Sequence, residues 1–216
     1  MSAPAPKKSN LVPNTAYAKL ATHAQLERAA AHLEEHGIHT LIVPNRAEAL
    51  RTVLSLIPEH SEVLVSTSET LAQIGLAKEV EESGRYESLW KRLLGLDRKT
   101  QEREMRQLGQ APLFSVGSVH AVTEEGDLLI ASATGSQLGP YAYGAGKVIW
   151  VVGAQKVVPT IAEGLKRLRE YAYPMEDARA LKVYGMNSGL NKILVISREF
   201  TPGRATVVLV EEALGF

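Results

Sequence analysis

The chain has 216 residues, 45% of them hydrophobic, and its 24 Lys and Arg are balanced by 24 Asp and Glu. That length suits one α/β domain with a full core, and a net charge of zero argues against a nucleic-acid partner. With no cysteine, disulfides, a thiol nucleophile and thiolate-bound zinc or iron–sulfur clusters are excluded.

The opening Met1-Ser2-Ala3-Pro4-Ala5-Pro6-Lys7-Lys8 lacks the apolar stretch of a secretory leader. Residues 1–13 read as a disordered tail and 14–216 as a single α/β domain. No apolar run approaches the ~20 residues a membrane span needs, so no membrane partner and a cytoplasmic location are expected. Residues 14–36 carry the longest helical pattern, with Asn14 as cap and Gly37 as a left-handed stop. Residues 38–43 read as a strand. Asn45 caps a second helix, with Glu48 as its capping-box partner and Pro58 as its end. Residues 62–65 form the next strand. It runs straight into Ser66-Thr67-Ser68-Glu69-Thr70, and a helical pattern follows from Leu71 to Ala77.

Further on, 86–90 reads as a short strand, 97–107 as an exposed charged helix and 112–116 as β-prone. Residues 119–122 and 128–131 flank Thr123-Glu124-Glu125-Gly126-Asp127, which has the length and glycine of a hairpin turn. Glycines 135, 139, 144 and 146 crowd the segment 134–146, where a mobile lid is one reading. Residues 148–152 give the strongest buried-strand signal. Residues 159–171 are helical, and Pro174 starts a further helix. Residues 193–197 and 206–210 are late strands joined through 201–204, expected to add an antiparallel pair to the hairpin. Strands alternating with helices imply a mainly parallel sheet flanked by helices, with ligands beyond the carboxyl ends of its strands.

The hydroxyl loop is the leading candidate site. Unpaired N–H groups at a helix N-terminus attract anions, and Ser66, Thr67, Ser68 and Thr70 add hydroxyl donors beside them. The plainer alternative is one capping hydroxyl and three that pack. Thr134, Gly135, Ser136 and Gln137 make a second hydroxyl–glycine loop. Lys156 follows the strongest strand and suits a phosphate or carboxylate as a point charge. It also suits a catalytic amine if burial lowers its pKa. Glu125 is the carboxylate to pair with it in moving a proton; acidic turn residues also arise for purely local reasons. His32 and His36 share a helix face, but a third ligand is missing, so no metal site and no cofactor are expected. His120 faces either a pocket or the core.

Several stretches resemble the LUD domain, the family of lactate-utilisation protein C. They are Val65–Leu71 with Ile74-Gly75-Leu76, Val119–Gly126, Gly135-Ser136-Gln137 followed by Tyr143-Gly144, Lys147–Val158, and Glu163–Arg169 with Pro174. The resemblance covers roughly residues 15–216. It implies a fold related to ribose-5-phosphate isomerase, glucosamine-6-phosphate deaminase and the CoA transferases, whose ligands sit at loops after the strands. It also implies lactate utilisation beside iron–sulfur partner proteins. Relatives carry paired cysteines near Asn187-Ser188-Gly189-Leu190, where this chain has none. The expectation is a protein that binds a small anionic metabolite through residues 66–70, 134–137 and 156. The alternatives are a non-catalytic subunit of a lactate-oxidising iron–sulfur complex, docking through 14–36, and a sugar-phosphate isomerase-like enzyme. A homo-oligomer is left open.

Overall fold

The computed structural model describes residues 11–216, so most of the expected tail, residues 1–10, lies outside the described residues. Six parallel strands make the main sheet, in the order β1 (His39–Val43), β10 (Ala205–Val210), β7 (Lys147–Gly153), β4 (Phe114–Gly117), β2 (Glu62–Val65) and β3 (Glu87–Ser88). A second, mixed sheet runs β8 (Val157–Val158), β5 (Ala121–Thr123), β6 (Leu128–Ser132) and β9 (Lys192–Ile196).

The central strands read as continuous apolar runs because both faces are covered. In β7, Val148, Trp150 and Val152 pack on one side of the sheet. There they meet Leu26, Ala29 and Leu33 of α1 (His23–Glu35) and Val122, Leu128 and Ile130 of the second sheet. Ile149 and Val151 point the other way. They join Ala49 and Val53 of α2 (Arg46–Leu56), Leu71 and Ile74 of α3 (Glu69–Ile74) and Leu76 and Val80 of α4 (Leu76–Glu82). The period of two in strand side chains thus divides one apolar strand between two cores.

Some boundaries differ from the sequence reading. Asn14 does cap a helix, but only the 3-10 turn Thr15–Ala18. The α-helix starts at His23, where Thr22 and Gln25 form a reciprocal capping box that satisfies two orphan donors. Asn45 caps α2 through the N–H groups of Ala47 and Glu48, while the Glu48 carboxylate turns to Arg51. Gly75, at φ +78°, splits the expected Leu71 helix into α3 and α4. Residues 86–90 hold the two-residue β3 followed by α5 (Leu89–Leu94), and the charged helix α6 spans Glu102–Gln110.

The two late strands do not pair with each other. β9 lies antiparallel to β6 in the second sheet, whereas β10 inserts parallel between β1 and β7. Strand β10 is buried on both faces and β9 is largely exposed; that contrast sends one to the sheet centre and the other to an edge.

Helix α7 (Ile161–Arg167) runs through a π turn, Leu168–Ala172, into α8 (Tyr173–Tyr184). Pro174 has no N–H to give to the carbonyl four residues back. That carbonyl, on Glu170, accepts from the Asn14 N–H at 2.8 Å, which ties the N-terminal segment to the helix. No helix among the described residues is long and apolar enough to cross a membrane.

Candidate functional site

All six strands of the main sheet run the same way, so the segments leaving β2, β4, β7 and β10 emerge at one rim. There a cavity of about 340 Å³ is lined by Ser66, Thr67, Ser68, Glu69 and Thr70 after β2, by Ser118 and His120 after β4, and by Lys156 after β7. Thr134 and Gln137 complete one wall; Tyr173, Glu176 and Arg179 of α8 and Ser188 complete another. The hydroxyl loop, part of the 134–137 loop and Lys156 therefore share one hollow.

Lys156 sits at its deep end, 2% exposed. The 3-10 turn Ala154–Lys156 carries it inward. Its Nζ donates to Thr70 Oγ1 at 2.9 Å and to Ser118 Oγ at 3.0 Å. Both hydroxyls spend their own hydrogens on carbonyls, which can only accept: Thr70 on Leu214 at 3.1 Å and Ser118 on Val151 at 2.7 Å. Among the described residues Lys156 forms no ion pair. Burial, and then the nearby Arg167 guanidinium, hold its pKa well below the ordinary lysine value.

Arg167 of α7 is itself fully buried. It donates to the carbonyls of Gln155 (3.2 Å) and His120, and its Cζ lies 5.1 Å from the Tyr171 ring centre. Its Nη2 nitrogen has no hydrogen-bond partner among the described residues. Burial pushes its pKa down to about 10. His120 is half-buried, and its Nδ1 accepts from the Ala131 N–H at 3.1 Å, which places the ring proton on Nε2. Burial, followed by the charges of Lys156 and Arg167, pushes its pKa down to about 3, so the ring is a neutral imidazole at physiological pH.

The rim has a different character. Glu176 receives Arg179 in a two-pronged pair at 2.7 and 2.9 Å, and Glu69 stands 3.7 Å away. The hollow is thus not uniformly electropositive. Its outer charges pair with one another, and the uncompensated cation-forming group lies at the bottom. The helix that follows the hydroxyl loop also contributes less than expected. Helix α3 has six residues, Ser68 caps it by position without a side-chain bond, and Glu69 occupies its first turn, where a carboxylate offsets the helix dipole. Ser66 Oγ accepts from the Tyr141 hydroxyl at 3.0 Å.

Gly135 and Ser136 do not line the cavity. Gly135, at φ +89°, donates to Ser132 Oγ, and the Ser136 carbonyl accepts from Gln110. Together they shape the turn that presents Thr134 and Gln137. Glu125 lies elsewhere. Val122 is level with Val157 in the second sheet, so β5 runs on past the level of Lys156 before it reaches the turn that carries Glu125. It is exposed, on a turn held against α1. In that turn Glu124 bonds Gln25 and Arg28, and His32 and His36 bond the carbonyls of Glu124 and Gly126. The structure does not bring Glu125 and Lys156 together. The sequence reading missed Ser118, Arg167, Glu176 and Arg179, and it left His120 undecided. His120 and Arg167 lie in stretches that carry the family resemblance, but each of these residues reaches the site through tertiary packing.

A model of the LUD domain matches residues 26–210. Among solved structures, the chain resembles a DUF162 family protein from Deinococcus radiodurans with a TM-score of 0.55 and 13% identity, over 89% of this chain and 99% of that one; at that identity the likeness speaks to the fold. No curated protein matches the sequence significantly. With most of its length matched by the family model, the chain belongs to the LUD domain family.

Proposed function

We propose that the chain binds a small anionic metabolite in this hollow, as part of the lactate utilisation with which its family is linked. One observation carries the reading. Lys156 is buried on the cavity wall without a carboxylate, beside a second buried cation, Arg167. A buried lysine normally has a paired charge or loses its proton. A ligand carboxylate or phosphate would supply the missing charge, and the hydroxyls of Ser66, Ser68 and Thr134 would meet its remaining oxygens. The small volume limits the ligand to metabolite size.

Binding should then restore the lysine proton. The pKa is depressed in the empty site and raised by the anion, so complex formation takes up protons between the two values, and affinity falls as pH rises through that window. Calorimetry with inorganic phosphate, lactate, pyruvate and ribose 5-phosphate, in buffers of different ionisation heat, measures the uptake. An anion at a hundredfold excess over its Kd stabilises by about 2.7 kcal/mol, or roughly 5–10 °C in Tm for this size of chain. No shift from any of these anions, with Lys156→Met equally silent, would refute the proposal.

A further inference from the structure

We propose that Lys156 forms an imine with its ligand, and that the ligand is a 2-oxo acid: a carboxylate one bond away from a carbonyl. The inference rests on the anion-site reading and deepens it.

The geometry of the nitrogen carries it. Thr70 Oγ1 and Ser118 Oγ each give their hydrogen to a main-chain carbonyl, so both are left as acceptors toward Nζ. A neutral amine has two hydrogens and one lone pair. Its two hydrogens match the two hydroxyl oxygens at 2.9 and 3.0 Å. The fourth tetrahedral position, occupied by the lone pair, has no partner among the described residues, and the residue lines the cavity. The third hydrogen of an ammonium would find no acceptor among those residues. The described side chains therefore satisfy the free base in full, the form in which a lysine is a nucleophile.

The chemistry then follows. The Nζ lone pair attacks the ligand carbonyl carbon, and the carbonyl π pair moves to oxygen. Both amine hydrogens leave with that oxygen as water, and a C=N bond remains. Protonation of the imine nitrogen restores a positive charge at Nζ. A lone lysine carries that charge poorly in this site, but the ligand's own carboxylate, one bond from the new C=N carbon, compensates it. A neutral ketone lacks that compensation, and an anion without a carbonyl binds but does not react.

The test is reductive trapping on the full chain. The protein is incubated with pyruvate or glyoxylate and cyanoborohydride near pH 7, then intact mass and peptide mapping locate the adduct. One adduct per chain on Lys156 is expected. Its rate should exceed that of exposed lysines such as Lys147 and Lys182, by up to about tenfold for each unit by which the Lys156 pKa is lowered toward the working pH. Acetone should trap more slowly, and Lys156→Arg should lose the adduct. The wild-type peptide map alone decides the matter if that variant fails to fold. Adducts scattered over surface lysines with Lys156 unmodified would overturn the inference. If phosphate still binds in that case, only the imine chemistry falls; if phosphate does not bind either, the anion site falls with it.

Discussion

Replacing Lys156 by methionine should change how stability depends on pH. Methionine is unbranched and fills similar space. Thr70 and Ser118 keep their bonds to the carbonyls of Leu214 and Val151, so the hydrogen-bond loss is limited to two acceptor positions. The electrostatic effect is larger. Lys156 titrates well below the ordinary value when folded and near 10.4 when unfolded. Between those two values the unfolded chain holds the extra proton, so wild-type stability rises with pH across that window. Each pH unit inside it contributes about 1.4 kcal/mol, and two units roughly 3 kcal/mol, a large share of a typical domain's stability. Methionine cannot titrate, so the variant lacks this rise. Urea unfolding of both proteins from pH 7 to 10 at fixed ionic strength gives the difference free of every other titrating group. It should shift progressively in favour of the wild type. A difference that stays flat with pH would mean that the lysine keeps its ordinary pKa, and the reasoning about the hollow would collapse.

Three further outcomes are expected. His120 has its pKa depressed to about 3, so it contributes stability above its unfolded value near 6.5 that is lost as pH falls toward 3. His120→Gln should shift the acid-unfolding midpoint to lower pH by circular dichroism, and coincident acid titrations would contradict this. Arg167→Met strands the carbonyls of His120 and Gln155 and should cost about 2–4 kcal/mol while raising the Lys156 pKa. A chemical-denaturation curve unchanged from wild type would count against it. Gly117→Ala places a Cβ 1.5 Å from the Tyr141 hydroxyl, driving the ring off Ser66; it should cost about 2–3 kcal/mol by overpacking, and a Tm within about a degree of wild type would refute the contact.

The sequence shows most of the main sheet because buried parallel strands are nearly continuous apolar runs: 148–152 and 206–210 could scarcely be anything else. It shows the hydroxyl loop and Lys156 for the same reason, since both sit just after such runs. Pairing is less visible. Ile193–Ile196 and Thr206–Val210 look alike on paper, and only the packing beyond them decides that one takes a sheet edge and the other the centre. The alanines and Leu20 between Asn14 and Thr22 extend a helical pattern upstream of the true start of α1, which the Thr22–Gln25 capping box sets. Glu125 is a candidate on paper because a carboxylate beside the Lys156 amine could move a proton. Its turn follows the far end of β5, so strand direction carries it away from Lys156. Arg167 was unreadable as a site residue. A basic residue in a mixed-charge helix ordinarily faces solvent, and here it is wholly buried against the main chain of His120 and Gln155.

The claim on which the account turns is that Lys156 has no counter-charge until a ligand brings one. Titration of the isotopically labelled lysine side chains by NMR, with and without phosphate, measures this directly. One resonance, absent in Lys156→Arg, should titrate well below the ordinary lysine range in the free protein and move upward when phosphate binds. A Lys156 resonance with an ordinary pKa, indifferent to phosphate, would contradict it.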